Sequence, residues 1–202
     1  MTKIKLCGLR RLEDIAAVNA VKPDYAGVIL ARNPKFWRVI SPEQAGRMRE
    51  ALDSSIPLVG VFVDDDPAYL EGLLRAGVID IAQLHGHEGA DTIRALSDAT
   101  GKPVWKAFQV KTPADVADAV QTPAAMPLLD SGTGCGVTFD WSLVAGVSRP
   151  FLLAGGLTPE NLSAAIAQVH PWGVDISSGI ETDRLKDPDK MRRAVAAARA
   201  LP

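Results

Sequence analysis

Phe151-Leu152-Leu153-Ala154-Gly155-Gly156-Leu157-Thr158-Pro159-Glu160 reads as a strand that breaks at a glycine pair and runs straight into helix-start chemistry. Phe151–Ala154 is a short apolar run, and Thr158-Pro159-Glu160 offers an N-cap, a proline at the first helical position and an acid in the first turn. The next run downstream, Gly173–Ile176, ends in another small, polar loop, Ser177-Ser178-Gly179. Two such loops close together near the end of a chain are the pattern of a parallel eight-stranded barrel, which binds phosphate on the loops after its seventh and eighth strands.

Working back toward the N-terminus, six further runs precede these two: Ile4–Cys7, Tyr25–Leu30, Leu58–Val63, Ile79–Leu84, Val104–Phe108 and Pro127–Asp130. Most are apolar at consecutive positions, as parallel strands buried on both faces require. Segments with helical spacing separate them, opened by Ser41-Pro42-Glu43-Gln44 and Thr112-Pro113 and, in weaker form, by Asp66-Pro67 and Asp187-Pro188. A doubly wound sheet would carry five or six strands and a glycine-rich turn after the first. Here the first strand ends in Cys7-Gly8-Leu9-Arg10, which is no dinucleotide fingerprint. The expected fold is therefore α/β, a single (β/α)8 TIM barrel over residues 1–202. No linker, low-complexity tract or repeat period points to a second domain.

Bulk properties narrow the partners. The chain is 47% hydrophobic and 23% charged with a net charge of −2 and no basic block, which argues against nucleic acid and anionic membranes. Its two cysteines, Cys7 and Cys135, are too few for a disulfide framework and lack zinc-site spacing. Nothing approaches a membrane-spanning run, and the start has no secretory pattern. A cytoplasmic protein, monomeric or homodimeric, without metal or organic cofactor is expected.

Active sites of such barrels sit at the C-terminal ends of the strands. Read in order, those ends are Cys7, the Arg32–Arg38 loop, Asp64-Asp65-Asp66, His85-Gly86, Gln109, Asp130, Gly155-Gly156 and Ser177-Ser178-Gly179. A thiol and a carboxylate thus face one mouth beside two phosphate-type loops, a set suited to proton transfer on a small anionic sugar phosphate. Each residue also has a local explanation. Cys7 fits a buried small hydrophobe, and Asp130 fits a cap on the Ser131-Gly132-Thr133-Gly134 turn. Asp64–Asp66 fits a solvated helix start, and His85 fits a hydrogen bond to loop backbone.

Seven segments, in order and spanning nearly the whole chain, resemble the landmarks of the phosphoribosylanthranilate isomerase family: Lys5-Leu6-Cys7-Gly8-Leu9, Gly60-Val61-Phe62-Val63, Gln83-Leu84-His85-Gly86, Leu128-Leu129-Asp130-Ser131, Thr138-Phe139-Asp140-Trp141, Ala154-Gly155-Gly156-Leu157 and Gly173-Val174-Asp175-Ile176-Ser177-Ser178-Gly179-Ile180-Glu181. The resemblance implies an Amadori rearrangement in tryptophan biosynthesis, with Cys7 as general base and Asp130 as general acid. It also implies that Arg38, counted back from Ser41-Pro42, holds the anthranilate carboxylate. Phosphate would rest on Gly155, Gly156, Ser177, Ser178 and Gly179, mainly through backbone donors. No metal or cofactor is implied, because the substrate nitrogen serves as electron sink.

Two loops depart from the family pattern. The second loop, residues 31–38, is about two residues longer, which makes Arg32 and Lys35 rivals of Arg38 for the carboxylate. In the sixth loop Cys135 stands for a threonine and Val137 for a lysine. Two other functions fit parts of the pattern. The sister isomerase of histidine biosynthesis is a half-barrel duplication with an aspartate ending its first strand; here that residue is Cys7 and no repeat between halves is visible. A barrel that binds a sugar phosphate without turnover would have no use for the Cys7 and Asp130 pair. A resting Cys7–Cys135 disulfide conflicts with cytosolic redox conditions.

Overall fold

The computed structural model describes residues 1–32, 37–131 and 140–200. Eight parallel strands close into a barrel in sequence order: β1 (Lys3–Leu6), β2 (Tyr25–Ile29), β3 (Leu58–Phe62), β4 (Ile81–Leu84), β5 (Val104–Gln109), β6 (Met126–Asp130), β7 (Leu152–Leu153) and β8 (Gly173–Ile176). β1 pairs with β8 in the register Lys3↔Gly173 through Leu6↔Ile176, which closes the ring. Helices α1 (Leu12–Val21), α2 (Pro42–Ala51), α3 (Pro67–Arg75), α4 (Ala90–Thr100), α5 (Pro113–Gln121), α6 (Leu162–Val169) and α7 (Pro188–Arg199) surround it.

Alternation along each strand sorts the residues into two cores. Ile4 and Leu6, Leu58 and Phe62, and Leu84 join the large outer core under the helices. Val59, Ile81, Trp105, Ala107, Leu128, Leu152 and Ala154 form a separate inner core. Continuing that parity two residues further places Val61, Gln83 and Asp130 at the rim of the interior, where all three line one cavity. The site is thus a consequence of strand period and strand length.

The capping signals explain most helix starts. Ser41 accepts from Gln44 N at 3.2 Å, and Asp66 accepts from Ala68 N at 3.0 Å. Asp187 accepts from Asp189 N and Lys190 N at 2.9 and 3.1 Å, while Thr112 forms a capping box with Asp115. Each such cap stabilises its helix by about 1 kcal/mol. The helix expected at Thr158-Pro159 begins later, at Leu162. Thr158 N donates to Asn161 Oδ1 at 2.8 Å and Asn161 Nδ2 to the Gly156 carbonyl at 2.9 Å, so these residues lock a turn that supports the glycine pair instead. After β6 the described residues hold a short 3₁₀ helix, Trp141–Val144, in place of an α-helix.

A hairpin unforeseen in the sequence follows β8: β9 (Glu181–Thr182) and β10 (Leu185–Lys186) pair antiparallel. Its two-residue turn, Asp183-Arg184, holds φ of 51° and 63°. Such turns ordinarily announce themselves with Asn-Gly or Asp-Gly. Among the described residues no helix is long and apolar enough to cross a membrane.

Candidate active site

A cavity of about 380 Å³ opens at the C-terminal ends of the strands, and Cys7, Arg38, Asp130, Gly155, Gly156, Ser177 and Ser178 all line it. Cys7 continues the β1 ladder, its N–H donating to the Ile176 carbonyl at 2.9 Å, and it is only 5% exposed. Asp130 ends β6, three strands around the barrel from β1, and its carbonyl accepts from Val110 N at 2.8 Å. Rigid ladder geometry therefore holds the backbone of both residues.

The Asp130 carboxylate is held by side chains from the loops after β4 and β6. His85 Nε2 lies 3.2 Å from Oδ2, and Ser131 Oγ donates to Oδ1 at 3.3 Å. Gln83 Nε2 lies 3.3 Å from His85 Nδ1. With the amide donating to Nδ1, the ring proton sits on Nε2 and points at Asp130. The histidine motif thus serves the carboxylate rather than the loop backbone. Gly155, at φ +87°, allows this arrangement: a Cβ there would meet Asp130 Oδ1 at 2.7 Å and Ser131 Oγ at 2.6 Å.

Gly156 also adopts a positive φ, +64°, and lines the same cavity as Ser177 and Ser178. Gly179, expected to share in holding phosphate, does not line the cavity. A Cβ on it would clash with the Leu157 carbonyl, so its bareness lets the loops after β7 and β8 touch.

Of the three candidates on the second loop, Arg38 faces the cavity. Arg32 lies outside the lining, its guanidinium 3.9 Å over the Tyr69 ring, and Lys35 falls outside the described residues, as do Cys135 and Val137. Arg38 makes a two-point ion pair with Glu181 and packs 4.3 Å over Trp37. Glu181 also accepts from Lys186 Nζ at 2.8 Å, and Lys186 donates to the Ser177 carbonyl at 2.9 Å. The unforeseen hairpin is what delivers Glu181 and Lys186 to this position.

A model of the N-(5'-phosphoribosyl)anthranilate isomerase family matches residues 4–197. The chain belongs to that family. Curated relatives bearing that enzyme's name include those of Endomicrobium trichonymphae, 41% identical over 206 residues with 100% of each chain covered, and Acetivibrio thermocellus, 38% identical with 98% and 96% covered. The solved phosphoribosylanthranilate isomerase of Thermus thermophilus superposes with a TM-score of 0.89 at 33% identity, each chain covered in full. Another solved isomerase of the family, in complex with reduced 1-(o-carboxyphenylamino)-1-deoxyribulose 5-phosphate, gives 0.88 at 34% identity, also in full.

Within this phosphoribosylanthranilate isomerase barrel the electrostatics divide the site. Burial pushes the Cys7 thiol up, with Asp175 acting in the same direction, while Lys5 and Lys186 pull it down. Burial also works against the Glu181 carboxylate, but Arg38 and Lys186 outweigh it and hold the acid below the ordinary range. Desolvation lowers Lys186 despite its carboxylate partner. Arg38, Glu181 and Lys186 together leave one net positive charge beside the cavity. Among the described residues no group of three or more His, Cys, Asp or Glu side chains could hold a metal ion.

Sequence reading missed Gln83, Glu181, Lys186 and the His85–Asp130 pair. Gln83, His85 and Glu181 did stand inside quoted motifs, but only tertiary pairing reveals what they touch.

Proposed function

We propose that Cys7 and Asp130 are the base and acid by which this family member converts N-(5-phosphoribosyl)anthranilate to 1-(2-carboxyphenylamino)-1-deoxyribulose 5-phosphate in tryptophan biosynthesis. One observation carries the assignment: a thiol directly after β1 and a carboxylate at the end of β6 face the same cavity. Asp130, entering the step in its protonated form, gives that proton to the furanose oxygen as the C1–O bond breaks, leaving an iminium between C1 and the anthranilate nitrogen. The iminium acidifies the C2 hydrogen, and Cys7 as thiolate removes it. The C–H electron pair becomes the C1–C2 double bond of an enolamine, and tautomerisation yields the ketone.

Backbone donors of Gly155, Gly156, Ser177 and Ser178 suit the phosphate, since bare glycines admit its close approach. Arg38 suits the anthranilate carboxylate, with its guanidinium plane set by Glu181. Arg38, the cation on the cavity wall among the described residues, favours an anionic substrate group. We place the enzyme in the cytoplasm, as a monomer or homodimer.

The test follows loss of anthranilate fluorescence from freshly made phosphoribosylanthranilate. Cys7→Ser and Asp130→Asn should each lower kcat by about 10²–10⁴-fold while ligand affinity stays within a few-fold. Full turnover in either variant, with the fold intact by circular dichroism, would remove that residue from the mechanism. Sugar-phosphate binding by the parent without turnover would make the barrel a binder.

A further inference from the structure

Lys5 carries a charge that the reaction scheme leaves unused, inside the barrel and fully buried. Desolvating an ammonium costs several kcal/mol unless a partner compensates it. Its register neighbour on β8, Asp175, is that partner, with both carboxylate oxygens 3.1 Å from Nζ. An apolar pair of similar volume would fill the same layer at no such cost, so neutralisation alone does not explain the two charges.

Cys7 stands two residues beyond Lys5 on the same inward face of β1. Gly27 of β2 shows how closely the two side chains approach. A Cβ built there would lie 2.8 Å from Lys5 Cε, 3.1 Å from Lys5 Nζ and 2.9 Å from Cys7 Sγ. The ammonium and the thiol therefore both border the space over the bare Cα of Gly27, which any other residue would fill.

We propose that Lys5 is a positioning residue for the proton transfer: its ammonium, clamped by Asp175 and admitted by Gly27, supplies the positive charge against which the Cys7 thiol ionises. The inference rests on Cys7 being the base. The thiol proton leaves to water in the cavity, and the thiolate so formed later takes the C2 proton, the S–H bond forming as the C–H bond breaks. Among the described residues the charged groups facing the thiol are Lys5 from β1, Asp175 from β8 and Lys186 from the β9–β10 hairpin, with Arg38 held on Glu181 above them. β2 brings Gly27 and Ile29 to this region, neither of them charged. Burial and Asp175 favour the neutral thiol, whereas Lys5 and Lys186 favour the thiolate. Lys5 itself is pulled down by burial but held above its ordinary value by Asp175 and Cys7, so it stays charged.

The arrangement demands opposite responses from two neighbouring substitutions. In a Cys135→Ser background Cys7 is the sole thiol, and its ionisation can be followed by ultraviolet thiolate absorbance against pH, without substrate. Lys5→Met should raise the midpoint, leaving roughly tenfold less thiolate at a given pH, a shift of about one unit. Asp175→Asn should lower it. Lys5→Met/Asp175→Asn, which leaves no unpaired charge in the barrel and guards against misfolding of the single variant, should still titrate above the parent, since it is the Lys5 ammonium that borders Gly27 together with the thiol. Lys5→Met should also lose kcat at neutral pH with KM held, and recover part of it at higher pH. A merely structural Lys5 would change melting temperature without moving the midpoint. A parent-like midpoint in the double variant, or both single variants moving the same way, would overturn the proposal. A fully active Cys7→Ser enzyme would instead remove the base, a separate outcome.

Discussion

Arg38 and Glu181 are joined by two hydrogen bonds of 2.8 Å, Nε to Oε1 and Nη2 to Oε2, so the guanidinium facing the cavity is fixed along one edge. Its donors on Nη1 and the second Nη2 hydrogen belong to the other edge. A preset plane favours a planar carboxylate over a freely rotating cation. Arg38→Ala should therefore weaken a product analogue bearing the benzoate carboxylate by about 10- to 150-fold, or ~1.5–3 kcal/mol. An analogue without the carboxylate should bind nearly as before. Arg32→Ala should show no such selectivity in calorimetric titrations, because Arg32 stacks on Tyr69 outside the cavity. The reverse result would reassign the carboxylate to Arg32.

The same ion pair gives stability a pH dependence. Arg38 and Lys186 hold Glu181 below the ordinary carboxylate value against the opposing effect of burial. A depressed acid contributes stability above its unfolded value, near ~4.3, and loses it as pH falls through the folded value. Glu181→Gln should thus be less stable than the parent by ~1–3 kcal/mol at neutral pH. That gap should narrow as pH falls below about 4. Urea unfolding at several pH values would check this, and a gap that widens in acid would refute it.

Gly155 and Gly156 are adjacent in sequence but should fail in different ways. Gly155→Ala places a methyl against Asp130 Oδ1 and Ser131 Oγ, and should lower kcat at least tenfold by displacing Asp130, the proposed acid. Gly156→Val should chiefly raise KM and weaken competition by inorganic phosphate. Both positions have positive φ, so both variants also lose ~1–2 kcal/mol of stability and must be assayed well below their melting temperatures. Matching kcat and KM changes in the two would erase the distinction.

Strand period explains why so much of the barrel could be read beforehand. Once Phe151–Ala154 and Gly173–Ile176 are taken as buried parallel strands, their ends must face the mouth, and Cys7 and Asp130 follow. The capping residues Ser41, Thr112, Asp66 and Asp187 act within one helical turn, so local sequence suffices for them. Thr158 shows the limit: its bonds with Asn161 build a turn under Gly156 that looks like a helix start in sequence. The Asp183-Arg184 turn carries no glycine signal, which hid the hairpin and with it the Glu181 and Lys186 contacts. Lys5 and Asp175 sit 170 residues apart and meet only because β1 and β8 close the barrel.

His85 links this long-range pairing to turnover. Its Nε2 lies 3.2 Å from Asp130 Oδ2, while Gln83, one of the buried polar residues of the barrel interior, engages Nδ1 at 3.3 Å. Losing that support should leave substrate contacts in place but let the Asp130 carboxyl rotate away from the furanose oxygen. His85→Ala should therefore lower kcat by about tenfold, or ~1.4 kcal/mol, with KM little changed. Gln83→Leu, which keeps the volume but removes the amide, should show a smaller loss in the same direction. The double variant should be no worse than His85→Ala alone, since Gln83 acts on Asp130 only through the imidazole. Stopped-flow fluorescence with pre-formed substrate separates kcat from KM, and additive losses would show that Gln83 reaches the reaction by another route.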